Sequence, residues 1–245
     1  MPASINAELL KNNQMTKIYS YVLRFDDGSA PNPFGGICTL TICKPVIRRT
    51  AQVGDWVIGT GSKNVVLEKG TRPIDYSDSL VYAMKITDIK SLKDYDEYCR
   101  NYLPVKIGEK YADDWHLRAG DCIYDFTTGE PVLRMSSHDK CHEQTDLSGQ
   151  NALFSDHFYY FGLEARRLPD EFKGMIKISK GHKIIEQPAL VDAFEKWIAQ
   201  FEKNKLYADP QMRWFFDREL SDMEASLCAK EKQETDEDDM EERLC

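Results

Sequence analysis

The 245-residue sequence has no apolar run that approaches the roughly 18 residues of a membrane span. Its opening segment, "MPASINAELLKNNQMTK", also lacks the apolar core of a secretory leader. The seven Cys, at 38, 43, 99, 122, 141, 228 and 245, are odd in number and irregularly spaced. That pattern argues against a disulfide framework and for reduced thiols in a cytoplasmic protein. Catalytic signatures are equally scarce. There is no G-x-x-x-x-G-K-[ST] phosphate loop, because "GTGSKN" is too short and no apolar helix follows it. No G-x-G-x-x-G follows a strand, and neither G-x-S-x-G nor H-E-x-x-H occurs. No long internal repeat is present; "VGDWVIG" and "AGDCIYD" share a Gly-Asp that marks a turn entering a strand.

The charge is unevenly spread. From Glu219 to Cys245 eleven Asp/Glu face three Lys/Arg, so most of the formal net charge of −9 lies in that stretch. The remaining body is close to neutral and can still hold a nucleotide or a strand at a local basic cluster. "KEKQETDEDDMEER" has almost nothing apolar to bury and reads as a disordered acidic tail.

Strand signals dominate the first ninety residues. "KIYSYVLRF" alternates, with Tyr19, Tyr21, Leu23 and Phe25 on one face. "ICTLTIC", "DWVIG" and "SLVYAMKI" follow, the last with Leu80, Tyr82, Met84 and Ile86 sharing a face. A helix over 91–103 opens at Ser91, with Asp94 three residues on, and is striped by Leu92, Tyr95, Cys99 and Tyr102. The polar, turn-rich stretch from about 106 to 150 reads as loops on a sheet, and "NALFSDHFYYFG" restores a strand signal. Two helices are expected at the end, over 188–204 and over about 210–228. Strands first and helices last make the class α+β.

Candidate ligand contacts concentrate between Ala30 and Ser62. "PNPFGG" offers the Asn32 amide, Phe34 and two side-chain-free positions, Gly35 and Gly36, as a pocket wall, although an ordinary connection would look alike. Lys44, Arg48 and Arg49 form a compact basic cluster suited to phosphate, or to a solvated face. Trp56 or Tyr160 is placed to stack on a base, or simply to fill a core, and Thr60 and Ser62 continue the small-residue turn. "HDKCH" brings His138, Cys141 and His142 together, but a zinc site needs four ligands in paired spacing; no metal or other cofactor is expected. Cys38 falls on a strand face and Cys43 has no His near it in sequence, so both read as small hydrophobes.

The run "YSYVLRFDDGSAPNPFGGICTLTICKPVIRRTAQVGDWVIGTGS", continued by "SLVYAMKI", "AGDCIYD" and "FYYFG", resembles the nucleotide modification associated domain 2 family over roughly residues 17–168. The order of basic segment, "VGDWVIG" strand and "LVYAMKI" strand is also similar to the PUA-like superfamily, with its ASCH, EVE and YTH domains. These resemblances imply a small mixed β-barrel of PUA-like type with C-terminal helices. They imply a flexible N-terminus over 1–16, one domain over 17–218 and an acidic tail over 219–245. The expected function is recognition of a modified nucleotide or base in nucleic acid, within nucleic-acid modification or phage–host conflict. The alternative is an enzyme that hydrolyses or otherwise processes a free nucleotide or modified base. ASCH-type members imply Lys44 as its catalytic residue, and Asp55 is the candidate general base. A third reading has the acidic tail dock a basic protein partner.

Overall fold

The computed structural model describes residues 15–68, 70–109, 111–134, 136, 138 and 140–212. The alternating segments become β1 (Ile18–Val22), β2 (Cys38–Leu40), β3 (Trp56–Thr60) and β4 (Ser79–Lys85). Eight further strands follow: β5 (Asp88–Ser91), β6 (Tyr124–Asp125), β7 (Val132–Leu133), β8 (Asn151–Ser155), β9 (Phe158–Tyr160), β10 (Arg166–Arg167), β11 (His182–Ile185) and β12 (Lys205–Leu206). The helices are α1 (Pro45–Thr50), α2 (Leu92–Tyr102), α3 (Trp115–Arg118), α4 (Glu143–Ser148) and α5 (Pro188–Ile198).

The main sheet is mixed and seven-stranded, in the order β11-β1-β3-β4-β9-β12 with β10 also on β4, and β2-β8-β5 form a second sheet. The two sheets are separate, but the same pair of chain segments runs through both in matching register. Pairing runs from Tyr82 opposite Tyr160, through Met84 opposite Phe158 and Asp88 opposite Phe154, to Ser91 opposite Asn151 without a slip. β2 then lies against β8, Cys38 opposite Ser155 and Leu40 opposite Leu153. Cys38 and Leu40 of β2 share a core cluster with Tyr19 and Tyr21 of β1.

The expected α+β order is therefore present, but the expected closed barrel is not. Among the described residues β1 and β2 do not pair. Ile47 of helix α1 and Ala51 just past its end belong to the same cluster as the residues of both strands. The outer face of the main sheet, with Ile18, Trp56, Ile58 and Ala83, packs on Val191, Phe194 and Ile198 of α5. Each such aliphatic or phenyl side chain stabilises the fold by about 1.5–3 kcal/mol when fully buried.

Several local expectations change. The register slips between Gly59 and Thr60, where Tyr82 pairs with Gly59 and Leu80 with Thr60. This bulge in β4 turns Val81 inward beside Tyr82 and sends Leu80 to the α5 side, so Leu80 does not share a face with Tyr82 and Met84. Ser91 caps α2 as expected, its Oγ accepting the Asp94 N–H at 3.1 Å, but Tyr102 in the last turn is 73% exposed. Helix α5 ends at Ile198, with Phe201 still packed on its cluster. The helix expected over about 210–228 lies mainly outside the described residues, as does the acidic tail; Gln211 and Met212 are in a turn.

Candidate functional site

After β2 the chain makes a tight elbow. Cys43 (φ 58°) and Lys44 (φ 44°) are both left-handed. That backbone costs a residue with a Cβ roughly 1–2 kcal/mol, and two in succession persist only where the surroundings over-determine them. Pro45 then opens α1 at once, because its ring presets φ and the first helical turn needs no N–H from it.

Arg48, one turn into α1, locks this elbow. Its guanidinium is 0% exposed. Nε donates to the Cys43 carbonyl at 2.8 Å, Nη1 to the carbonyls of Thr41 (2.5 Å) and Asn151 (3.2 Å), and Nη2 to the Asp146 carbonyl at 2.5 Å. Gly149 makes this possible, since a Cβ there would stand 2.2 Å from the guanidinium. Burial pulls the Arg48 pKa down to about 10, against the attraction of Asp146, so it remains a cation at neutral pH. The guanidinium expected to meet phosphate is instead an internal brace.

The brace joins the elbow to the segment that carries a carboxylate. Asp146, in α4, accepts from His138 Nδ1 at 2.7 Å on Oδ2, and the Tyr124 hydroxyl donates to the same oxygen at 3.1 Å. The other nitrogen of His138, Nε2, lies 3.8 Å from the Cys43 sulfur. A thiol, an imidazole and a carboxylate thus stand in line, 95 residues apart in sequence at the first contact. Burial opposes charge on His138, but the Asp146 carboxylate and the Cys43 contact outweigh it and hold the imidazolium well above its ordinary range. Burial likewise opposes charge on Asp146, yet His138 and Arg48 keep its carboxyl below the usual range. Cys43 is half-buried.

Behind the elbow, the core-facing side of the sheet carries a buried row of phenols. Tyr21, Gly59, Tyr82 and Tyr160 are direct neighbours across β1, β3, β4 and β9. Because Gly59 has no side chain, the Tyr82 ring occupies the place where a Cβ would be, 2.4 Å away, and the Tyr82 hydroxyl meets that of Tyr21 at 2.8 Å. The Lys44 ammonium stands 5.1 Å above the Tyr21 ring. At the far end Tyr160 donates to Asp26, whose other oxygen accepts the Gln211 N–H at 3.0 Å. Burial raises the Asp26 carboxyl to about 7. It also raises Asp27, which accepts the Ser29 N–H at 2.8 Å and is partly offset by the charge of His138.

Most of the other sequence candidates bond or pack within the fold; Gly36 and Arg49 lie at the surface. Asn32 donates to the Ala119 carbonyl at 2.6 Å and accepts from Phe34 N–H at 3.1 Å and from Lys106 Nζ at 2.7 Å. Buried Lys106 also reaches the Ile37 carbonyl, so the "PNPFGG" loop is clamped from within. Phe34 packs edge-on against Trp115 and His116. Gly35 (φ 76°) sits against Val105, while Gly36 faces open space. Trp56 lies in the α5-facing core and donates Nε1 to Glu195 at 2.9 Å, so neither it nor buried Tyr160 presents a ring for stacking. Asp55 accepts the backbone N–H groups of Lys17 and Gln52, both at 2.9 Å, and closes the turn before β3. Thr60 is buried and donates to the Tyr21 carbonyl at 3.3 Å. Ser62 accepts from Asn64 at 3.4 Å, and exposed Arg49 donates to the Ser148 carbonyl at 3.1 Å.

Of the sequence candidates, Lys44 therefore follows the thiol directly in the chain, and Arg48 supports it from inside. Sequence reasoning passed over Cys43, His138 and Asp146 as a set. One signal was present: a Pro directly after a strand ending in "TICK" marks a strand-to-helix junction with Cys43 at its apex. Among the described residues no three His, Cys, Asp or Glu side chains gather as a metal site, and no helix is long and apolar enough to cross a membrane.

A family model described as nucleotide modification associated domain 2 matches residues 15–218. No curated protein and no solved structure matches the chain.

Proposed function

The chain belongs to the nucleotide modification associated domain 2 family, and on that premise we propose that it recognises and processes a nucleotide or modified base at a thiol centre. Cys43 is the nucleophile, His138 the acid and base, and Asp146 the group that orients His138. The observation that carries this reading is the alignment of Cys43 Sγ, His138 and the Asp146 carboxylate at 3.8 and 2.7 Å.

A thiol attacks as its thiolate, and an adjacent imidazolium favours that form. Asp146 holds the imidazole with Nε2 toward sulfur, so one nitrogen handles the proton throughout. The strained elbow keeps the sulfur at the apex of a strand-to-helix turn. Lys44, next in sequence, carries its ammonium over the Tyr21 ring. The mixed sheet, with its Gly54-Asp55 turn leading into β3, is compatible with an open variant of the PUA-like architecture. A working thiol of this kind also requires a reducing compartment, consistent with a cytoplasmic protein.

The test is alkylation of Cys43 by iodoacetamide, read by peptide mass spectrometry from pH 5 to pH 9. His138→Gln is expected to slow labelling of Cys43 near pH 6.5 by about tenfold or more, in keeping with the weight of a positioned acid–base group. Labelling of exposed Cys141 serves as the internal reference. Equal Cys43 rates in wild type and variant across the pH range would refute the thiol centre and leave a recognition surface without chemistry.

A further inference from the structure

We propose that the acidic stretch over 234–242 of this chain docks on the lysine-bearing edge that β11 and the segment before it give to the main sheet. The docking does not depend on the thiol centre.

β11 pairs with β1 alone, so among the described residues it is the last strand on its side of the sheet. An edge strand is a template for further pairing, which proteins blunt with charge, lysine above all, or with a cover. Lys173, Lys177, Lys180 and Lys183 fall within eleven residues that hold no Asp or Glu. Lys173 pairs with Asp170 at 2.7 Å. Lys183 donates to the Gly174 carbonyl, a neutral acceptor that leaves the positive charge in place. The next acid along the chain, Glu186, is already paired with Lys17 at 2.8 Å. Beside these lysines Ile178 is 96% exposed and Ile184 is 43% exposed. The edge is thus cationic with apolar side chains between the charges.

The acidic stretch has the complementary make-up. Over 234–242 seven of nine residues are Asp or Glu, with Met240 among them and Leu244 just beyond. Nucleic acid suits the edge less well, because strand binding of that kind uses rings on which bases stack. The ring at this edge, His182, packs on Tyr19 with centroids 5.9 Å apart, and the exposed apolar side chains are isoleucines. The chain also leaves the described fold from the right end of β1. Gln211 and Met212 donate their N–H groups to Asp26 at 3.0 and 2.8 Å, and Asp26 lies five residues beyond Tyr21, the partner of His182 at the start of β11. The maximal rise of the chain and one strand spacing place that exit within about 30 Å of β11. From Met212 to Glu234 the chain can extend to about 75 Å. Exposed ion pairs contribute little one at a time, but a tethered row of carboxylates meets the lysines at an effective concentration of order millimolar.

The experiment is zero-length carbodiimide cross-linking of the full chain, read by peptide mass spectrometry at about 0.02 M and about 0.5 M sodium chloride. At low salt the monomer is expected to carry amide links from the 234–242 carboxylates to Lys177, Lys180 and Lys183, in about tenfold excess over links to exposed Lys93 and Lys196. High salt should remove that excess. In a second measurement every Asp and Glu over 234–242 is replaced by Asn or Gln, and the polyanion probe is a fluorescent oligo-dT of about 20 nucleotides. The neutralised chain should bind it at least about tenfold more tightly than the wild type at low salt, and Lys177→Gln with Lys180→Gln should remove the gain. Links as heavy to Lys93 and Lys196 as to the three lysines would overturn the docking. Links found only in covalent dimers would give the edge to the acidic stretch of a second copy and overturn the intrachain contact. Equal oligo-dT affinity with and without the seven carboxylates, weakened in both by the lysine substitutions, would make the edge a nucleic-acid surface and overturn the docking as well.

Discussion

Arg48 gives the sharpest test of how the site is built, because sequence and structure assign it opposite roles. A phosphate contact would be exposed and dispensable for folding. Arg48 is fully buried and donates to the carbonyls of Thr41, Cys43, Asp146 and Asn151. Hydrogen bonds to a charged group each contribute about 1.5–3 kcal/mol. Set against these is the cost of burying the cation, which lowers its pKa to about 10 despite the attraction of Asp146. Arg48→Met keeps much of the stem but leaves four buried carbonyls without their cation. The expected loss is about 3–5 kcal/mol, or a fall in melting temperature of roughly 10 °C for a domain of this size. Arg48→Lys retains the charge without the planar fork and should lose about half as much. The assays are thermal denaturation and Cys43 alkylation, and both should fall together because Arg48 holds the backbone of nucleophile and orienter alike. An Arg48→Met protein that melts with the wild type but has lost nucleotide affinity would refute this reasoning and restore the phosphate contact.

Trp56→Phe removes the indole bond to Glu195 and is expected to cost about 1 kcal/mol in chemical denaturation while leaving nucleotide binding unchanged; lost binding at full stability would make Trp56 a stacking residue after all. Asp26 gives a pH signature. The fold keeps its proton up to about pH 7, while the unfolded chain releases it near 3.8. The carboxyl therefore favours the fold below pH 4, and that contribution drains away as pH rises to 7. Its size is of order 4 kcal/mol. Asp26→Asn, which does not titrate, should flatten the decline in denaturation midpoint between pH 5 and pH 8. Parallel pH curves for wild type and variant would show that burial does not hold this proton.

The strands were legible through residue type rather than exposure. β1 is buried on both faces, with the large rings of Tyr19 and Tyr21 on one side and Ile18 on the other, so alternation of aromatic and other residues records the pleat. Alternation fails at a bulge, so nothing in "SLVYAMKI" announces that Val81 is the extra residue and that Leu80 changes sides. Closure of a barrel is harder still. It depends on whether β1 and β2 come within pairing distance, and α1, which packs its Ile47 into their shared cluster, is only six residues long, too short to register by apolar periodicity.

The candidate site was less legible than the fold for a related reason. Burial erases the sequence distinction between a basic residue that meets a ligand and one that meets its own backbone. Arg48 and Arg49 are adjacent and identical in type, yet successive positions on a helix point about 100° apart. One therefore faces inward to four carbonyls and the other faces solvent. The same geometry explains why Cys43 looked inert: its partner arrives from a polar stretch whose course is set by long-range contacts, with Tyr124 and Arg48 both fixing Asp146. The pieces that a local reading could weigh were charge and aromaticity. What organises the centre is a buried guanidinium bonded to both the elbow and α4, and that link exists only once the β8 strand lies between them.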